Sequence, residues 1–302
     1  MSIMYRVVFI YAVLWVVLLP CAVQASGKAH FRLYATGSGK EVSLTELQKC
    51  DFDVLIFGEY HDNPVLHSLE VELLNQLYVR YPQLAVSLEM FERDVQQSLD
   101  AYLAGEIGEE SFLDQARPWS NYENAYRPLV EFAKARSLPV LAANIPRSVA
   151  SYYARQGTLD GIDMAMQPYL PVVHHAPDGE YKRRFFTQMQ EIGITNKSIR
   201  VAPEKMEAFY RAQCLKDDTM AESIVRYHCQ NPGWKIIHYQ GDFHSRFRLG
   251  VVEKLQTLES SLRILVITPV YVSEFTDLSE QAKRFHTDGE IVIFILQIPL
   301  AP

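Results

Sequence analysis

The chain has 302 residues, 48% of them hydrophobic and 22% charged, with a formal charge of −7. That length and apolar fraction support a large buried core and exclude a disordered or fibrous chain. The mildly acidic balance excludes a general nucleic-acid binder, which needs a basic face.

In chain order, a leader-like segment comes first. Arg6 precedes an unbroken apolar run from Val7 to Leu19, and Pro20 ends it. Val23-Gln24-Ala25 then sets small residues where a signal peptidase reads. The run is short for a membrane span and no basic stop follows, so a secretory signal at 1–25, cut after Ala25, is expected. Cys21 offers a lipidation site, but Pro20 before it fits that site poorly. The mature part, 26–302, is expected to be one domain. Cys50, Cys214 and Cys229 remain in it, and an odd number leaves at least one thiol unpaired. Cys214 and Cys229 flank one predicted helix and could join only if it ends or bends between them.

Six apolar, β-branched runs follow: 53–59, 84–90, 138–144, 235–241, 263–269 and 290–296. Continuous rather than alternating apolarity suits strands buried on both faces. Helical patterns separate them. Leu66, Leu69, Leu73 and Leu77 share one helix face, and Asn63-Pro64 suits its start. Arg127 to Arg136 reads as another helix. The alternation predicts an α/β fold, a mainly parallel sheet flanked by helices. The block from about 148 to 227 has few strand signals, two long helical patterns (Glu180–Ile192 and Glu204–Tyr227) and many aromatics. It reads as an inserted helical lobe covering a site.

Each of four strands ends in polar residues that a pure core would not hold: Glu59 and His61, then Glu89, then Asn144 and Arg147, then Asp242 and His244. In a parallel sheet those ends share one edge, where ligands bind. The two Gly-x-x-His loops, Gly58–His61 and Gly241–His244, are expected to face each other across one pocket. His61, Glu89 and His244 form a donor set for a divalent transition metal with a position left for water. Arg147 could fix a carboxylate or oxyanion, and Glu59 or Asp242 could orient a His or act as base. One Gly-x-x-His alone is ordinarily chance, and a His after a strand is ordinarily solvated. Two copies at matching strand ends are what point to a shared pocket, against a structural ion-pair network. Other candidates fail sooner. Gly37-Ser-Gly-Lys40 lacks the flanking Gly and Ser/Thr of a phosphate loop. His174-His175 reads as solvated loop histidines, with a metal or haem contact as the lesser reading, and Lys182-Arg183-Arg184 as a solvated helix face, with propionate binding as the lesser one.

The segments GEYHDNPVLH, SLEMFER, ANIPR, AQCLKDDTMAESI and GDFHSR, in that order, resemble the ChaN-like haem-binding uptake family. That family shares a superfamily with the Tiki and TraB proteins and the erythromycin esterases. The resemblance covers roughly residues 50–296. The superfamily pattern of two Gly-x-x-His motifs with Glu and Arg between them falls on Gly58–His61, Glu89, Arg147 and Gly241–His244. The ChaN resemblance implies a periplasmic or outer-membrane protein that binds haem for iron acquisition. It further implies tyrosine ligation, a homodimer formed on haem, and an outer-membrane haem receptor as partner. In the Tiki branch the pattern goes with metal-dependent proteolysis. Lipoprotein status, common among ChaN-like proteins, meets the poor Pro20-Cys21 site here.

Ferric haem accepts a phenolate, and the aromatic lobe is rich in tyrosines. Tyr126, near the Arg147 strand end, and Tyr210, in AFYRAQ, are the candidate ligands, although the ordinary role of any one such Tyr is in the core. Two functions stay open: haem binding, and a hydrolase built on Glu59, His61, Glu89, Arg147 and His244, with or without metal. A third reading makes the polar cluster purely structural.

Overall fold

The computed structural model describes residues 30–195 and 202–297. The expected signal segment, its Ala25 cleavage point and Cys21 lie outside the described residues.

Eight strands form one sheet: β1 (Phe31–Ala35), β2 (Lys40–Val42), β3 (Val54–Glu59), β4 (Leu84–Glu92), β5 (Val140–Asn144), β6 (Lys235–Gly241), β7 (Ile264–Val272) and β8 (Ile291–Leu296). Their order is β2-β1-β8-β7-β3-β6-β4-β5. The six expected strands are all present and pair in parallel, from β8 through to β5. β1 joins antiparallel to both β8 and β2, a pair that the apolar runs do not announce.

The sheet is covered on both faces, and strand alternation assigns each face. Leu55 and Phe57 of β3, with Ile237 and Tyr239 of β6, pack with Leu66, Leu73 and Leu77 of the helix Pro64–Arg80. Val54, Ile56 and Ile236 point the other way, onto Met220, Ala221 and Ile224 of the helix Pro203–Gln230 and onto Val252 and Leu255 of Val251–Leu258. The long helix thus reaches from the 148–227 block onto the sheet itself. Its unbroken course keeps Cys214 and Cys229 apart, and Cys50, Cys214 and Cys229 are all free thiols.

Asn63 caps the helix Pro64–Arg80 as its sequence predicts, its side-chain oxygen accepting from the amides of Val65 and Leu66 at 3.0 Å each. The cap fixes the exit of β3, because the chain must turn within four residues of Glu59. From β3 the chain moves to β4 and β5, returns to lay β6 between β3 and β4, and then crosses to β7 on the far side of β3. The reversal at β3 and β6 opens a crevice at their carboxyl ends.

Candidate functional site

β3 and β6 are in register at Glu59↔Gly241, so both Gly-x-x-His loops leave the sheet side by side. Gly241 makes the meeting possible. A Cβ there would lie 2.9 Å from both Cε1 and Nε2 of His61 and 3.7 Å from Glu89 Oε2. The His61 ring lies over that bare backbone, within reach of the Glu89 charge.

Glu59 and Glu89 approach the edge from opposite faces. Glu59 shares the face of Phe57, where its Oε1 accepts from the Tyr126 hydroxyl at 2.7 Å and meets His61 Nδ1 at 2.7 Å. Burial alone would lower the His61 pKa, but the Glu59 contact and the Glu89 charge raise it above the ordinary value. His61 Nε2 is left toward the cleft.

On the other face, His244 is buried between two carboxylates. Its Nδ1 meets Asp217 Oδ1 at 2.5 Å and its Nε2 lies 3.2 Å from Glu89 Oε1. Burial works against the imidazolium, yet Glu89 and Asp217 push its pKa up to about 10. The two carboxylates diverge. Burial raises both; the His244 charge, helped by Lys216, overrides it at Glu89, which is held below the usual carboxylate range. Glu89 also accepts the Gly241 amide at 2.8 Å. Asp217 stays raised despite His244 and the Tyr181 hydroxyl, with Asp218 beside it. Beneath Glu89, His238 bonds Ser87 and Gln240, and burial lowers its pKa to about 4. Asp242 turns back under β3, bonded to Thr268 and paired with Arg246, its pKa raised by burial to about 6.

A cleft of about 1230 Å³ opens above these groups, between the two loops and the helix Glu180–Thr195. Trp119, Phe247 and Tyr271 give it aromatic walls, and Arg183, Arg184 and Lys216 bring positive charge. Phe247 and the next residue, Arg248, both have left-handed backbone, with φ of 63° and 58°. Such strain persists only where surroundings impose it. Here the Arg184 guanidinium sits 3.3 Å from the Phe247 ring centroid.

The structure therefore brings together Glu59, His61, Glu89 and His244. Arg147 is elsewhere. β5 is the outer strand, two places from β6, so a residue following it starts a helix at the sheet's rim. There Arg147 is exposed, ion-paired with Glu92 and bonded to the Arg117 carbonyl. Arg93, from SLEMFER, is half-buried and ties the end of β4 to Glu222, Ser223 and Thr219 of the long helix. Tyr126 and Tyr210 are both fully buried. Tyr126 donates to Glu59, and Tyr210 donates to the Pro177 carbonyl at 2.6 Å. Neither lines the cleft, because each phenol closes a core hydrogen bond. Asp217, His67, Glu70 and Gln213 were not anticipated. Asp217 did leave a signal, since LKDDTMAE sets two adjacent acids on a helix between the apolar Leu215 and Met220.

A sheet with a buried His–carboxylate array under a cleft at its carboxyl edge defines a ligand-binding α/β protein. The family described as "Haem-binding uptake, Tiki superfamily, ChaN" matches residues 47–255, and the chain belongs to that family. Among solved structures, ChaN of Campylobacter jejuni, described with cofacial haem, shares the fold at a TM-score of 0.63. Its identity is 20%, over 88% of this chain and 96% of that one. A Bacillus cereus protein matches at 0.47 and 10% identity, over 89% of this chain and 95% of its own. An erythromycin esterase in its open conformation matches at 0.45 and 15% identity, over 80% and 77%. No curated protein matches the chain.

Proposed function

We propose that the protein is exported to the periplasm or outer membrane and binds haem there for iron acquisition. Family membership supports haem as the ligand, and one feature of the cleft carries the finer reading. Tyr271 is exposed on the cleft wall, its ring stacked on Tyr60 with centroids 4.7 Å apart. Its oxygen accepts from Asn63 Nδ2 at 3.0 Å. That contact fixes the phenol at the cleft wall, and a tyrosine oxygen is a ligand type that binds ferric haem iron. Lys216 lines the cleft beside Glu89, a position that suits a propionate. The cleft is also large enough for a macrocycle, being above the usual ligand-pocket range of roughly 300–1,000 Å³. Haem-linked homodimerisation and delivery to or from an outer-membrane receptor belong to this proposal.

The test is an absorbance titration of residues 26–302 with hemin. A saturable Soret band at fixed stoichiometry is expected, and Tyr271→Phe should shift it and weaken binding at least about tenfold, the factor that 1.4 kcal/mol represents. An unchanged spectrum in that variant removes Tyr271 as the ligand. No saturable band in the wild type removes the haem reading.

A second reading rests on His61. Its Nδ1 is held by Glu59 while the ring is 41% exposed toward the cleft, which is the geometry of a general base. If the site hydrolyses esters or peptides, His61→Ala should lower turnover by roughly 10²–10⁴-fold with folding intact. Equal turnover in that variant ends the hydrolase reading.

A further inference from the structure

Behind the cleft, on the Glu59 side of the sheet, three buried groups converge: Glu59, His67 and Glu70. One ligand atom from each lies within 4.8 Å of the others. None of the cleft chemistry above uses His67 or Glu70.

The protonation state of His67 follows from its partners. Nε2 lies 2.9 Å from the His61 carbonyl oxygen, which can only accept, so Nε2 carries a proton. Nδ1 then faces Glu70 Oε2 at 3.1 Å and Glu59 Oε2 at 3.9 Å. If Nδ1 is unprotonated, its lone pair confronts two carboxyl groups, and a carboxyl proton or a metal ion must lie between them. If it is protonated, its single hydrogen reaches one oxygen only. Two oxygens, Glu59 Oε2 and Glu70 Oε1, are buried without a hydrogen-bond partner, on residues that are 2% and 0% exposed. An unpaired buried charge is costly, so such oxygens call for either a shared proton or a bound counter-charge.

We propose that Glu59, His67 and Glu70 hold a divalent transition-metal ion of the zinc class, bound through His67 Nδ1 and one oxygen from each carboxylate. The two Nδ1–oxygen separations, 3.1 and 3.9 Å, straddle the ~3.4 Å edge of a tetrahedron with ~2.1 Å bonds. A ligating His ordinarily donates its second N–H to a carbonyl, as His67 does to His61. One imidazole with two carboxylates suits zinc or manganese better than calcium or magnesium, which favour all-oxygen shells. His67 also borders a surface depression with Val71, Asn121 and Pro128, which gives the ion a way in. The ion would fix the His61 loop from behind. Two of the contacts that position His61, its ring on Glu59 and its carbonyl on His67, come from ligand residues, beside the Asn121 side-chain amide that donates to the same carbonyl at 2.8 Å. This site is separate from the His61, Glu89 and His244 set expected from the sequence, and it does not depend on the haem reading.

The experiment strips haem-free mature chain with chelator, titrates it with Zn²⁺ alone and counts bound metal. X-ray absorption on the loaded wild type then counts imidazoles. One Zn²⁺ per chain with a single imidazole and oxygen neighbours is expected. Glu70→Gln should weaken binding about 100-fold or more, while His61→Gln retains it. Two imidazoles, or binding lost in His61→Gln and kept in Glu70→Gln, would place the ion in the cleft and overturn the proposal. No bound zinc in the wild type, together with a Glu70→Gln protein that melts higher, would overturn it too. The carboxyls would then be held by a shared proton. If Glu70→Gln does not fold, the imidazole count and His61→Gln still decide.

Discussion

Replacing His244 with Asn is expected to cost about 3–5 kcal/mol of stability, the usual consequence of removing one partner from a buried ion network. His244 is 5% exposed and is the charge between Glu89 and Asp217, which are themselves 2% and 0% exposed. Asn matches part of the ring's shape but brings no charge, so two buried carboxylates would face each other across it. Lys216 from the long helix and His61 from the β3 loop also act on Glu89, but the Glu89 contact to His244 is the larger influence. The pH dependence gives a sharper signature. The folded pKa of His244 is pushed up to about 10, above an unfolded value near 6.5. Its stabilisation is therefore complete below about pH 6.5, declines above that, and is gone once pH passes 10. Glu89 acts in the opposite sense. Its folded pKa is depressed, so its share is present above about pH 4.5 and is lost as pH falls. Melting temperature followed from pH 4 to 11 should fall on the alkaline side in the wild type, and His244→Asn should flatten that limb. A wild-type curve with no alkaline decline would mean that His244 is neutral in the folded protein.

The parts of this molecule that the chain spelled out are those whose physics is local. The central strands are buried on both faces, so each appears as an unbroken apolar run, and β3 to β8 could be read from that alone. β1 and β2 could not. They sit at the antiparallel edge, β1 is only half-buried along its length, and β2 has three residues. The two Gly-x-x-His loops were legible because glycine, strand end and histidine are neighbours in sequence. Their partners were not, because Asp217 and His67 reach the site from helices, and only tertiary packing decides which helical acid or imidazole is buried. Arg147 shows the reverse error. Its place at a strand end was right, but the order of strands in the sheet put that end at the rim. Tyrosines were the least readable. Tyr126, Tyr210 and Tyr271 all lie in plausible sequence, and exposure alone separates the last from the other two.

The two motif glycines should respond differently to a single methyl group, although they occupy equivalent places in their motifs. At Gly58 an added Cβ meets Asp242 Oδ1 at 2.8 Å and the backbone oxygen of Ile267 at 3.0 Å. Neither can move freely, since Ile267 belongs to β7 and Asp242 is bonded to Thr268. Gly58→Ala should therefore cost about 1–3 kcal/mol, as overpacking in a tight core does. At Gly241 the backbone φ of −56° already suits alanine. The added Cβ there strikes the His61 ring, a partly exposed side chain that can swing into the cleft. Gly241→Ala should therefore cost less than Gly58→Ala, because the side chain it strikes can move. Its effect should fall on His61 instead. A displaced ring loses the Glu59 contact that raises its pKa, so its titration, followed by the ring C–H resonances, should move down toward the ordinary value near 6.5. Ligand affinity or turnover that depends on His61 should fall with it, whereas Gly58→Ala protein, once folded, should keep the His61 titration of the wild type. If Gly241→Ala melts as low as Gly58→Ala and leaves the His61 titration unmoved, then the ring does not lie over Gly241, and the two loops do not share one cleft.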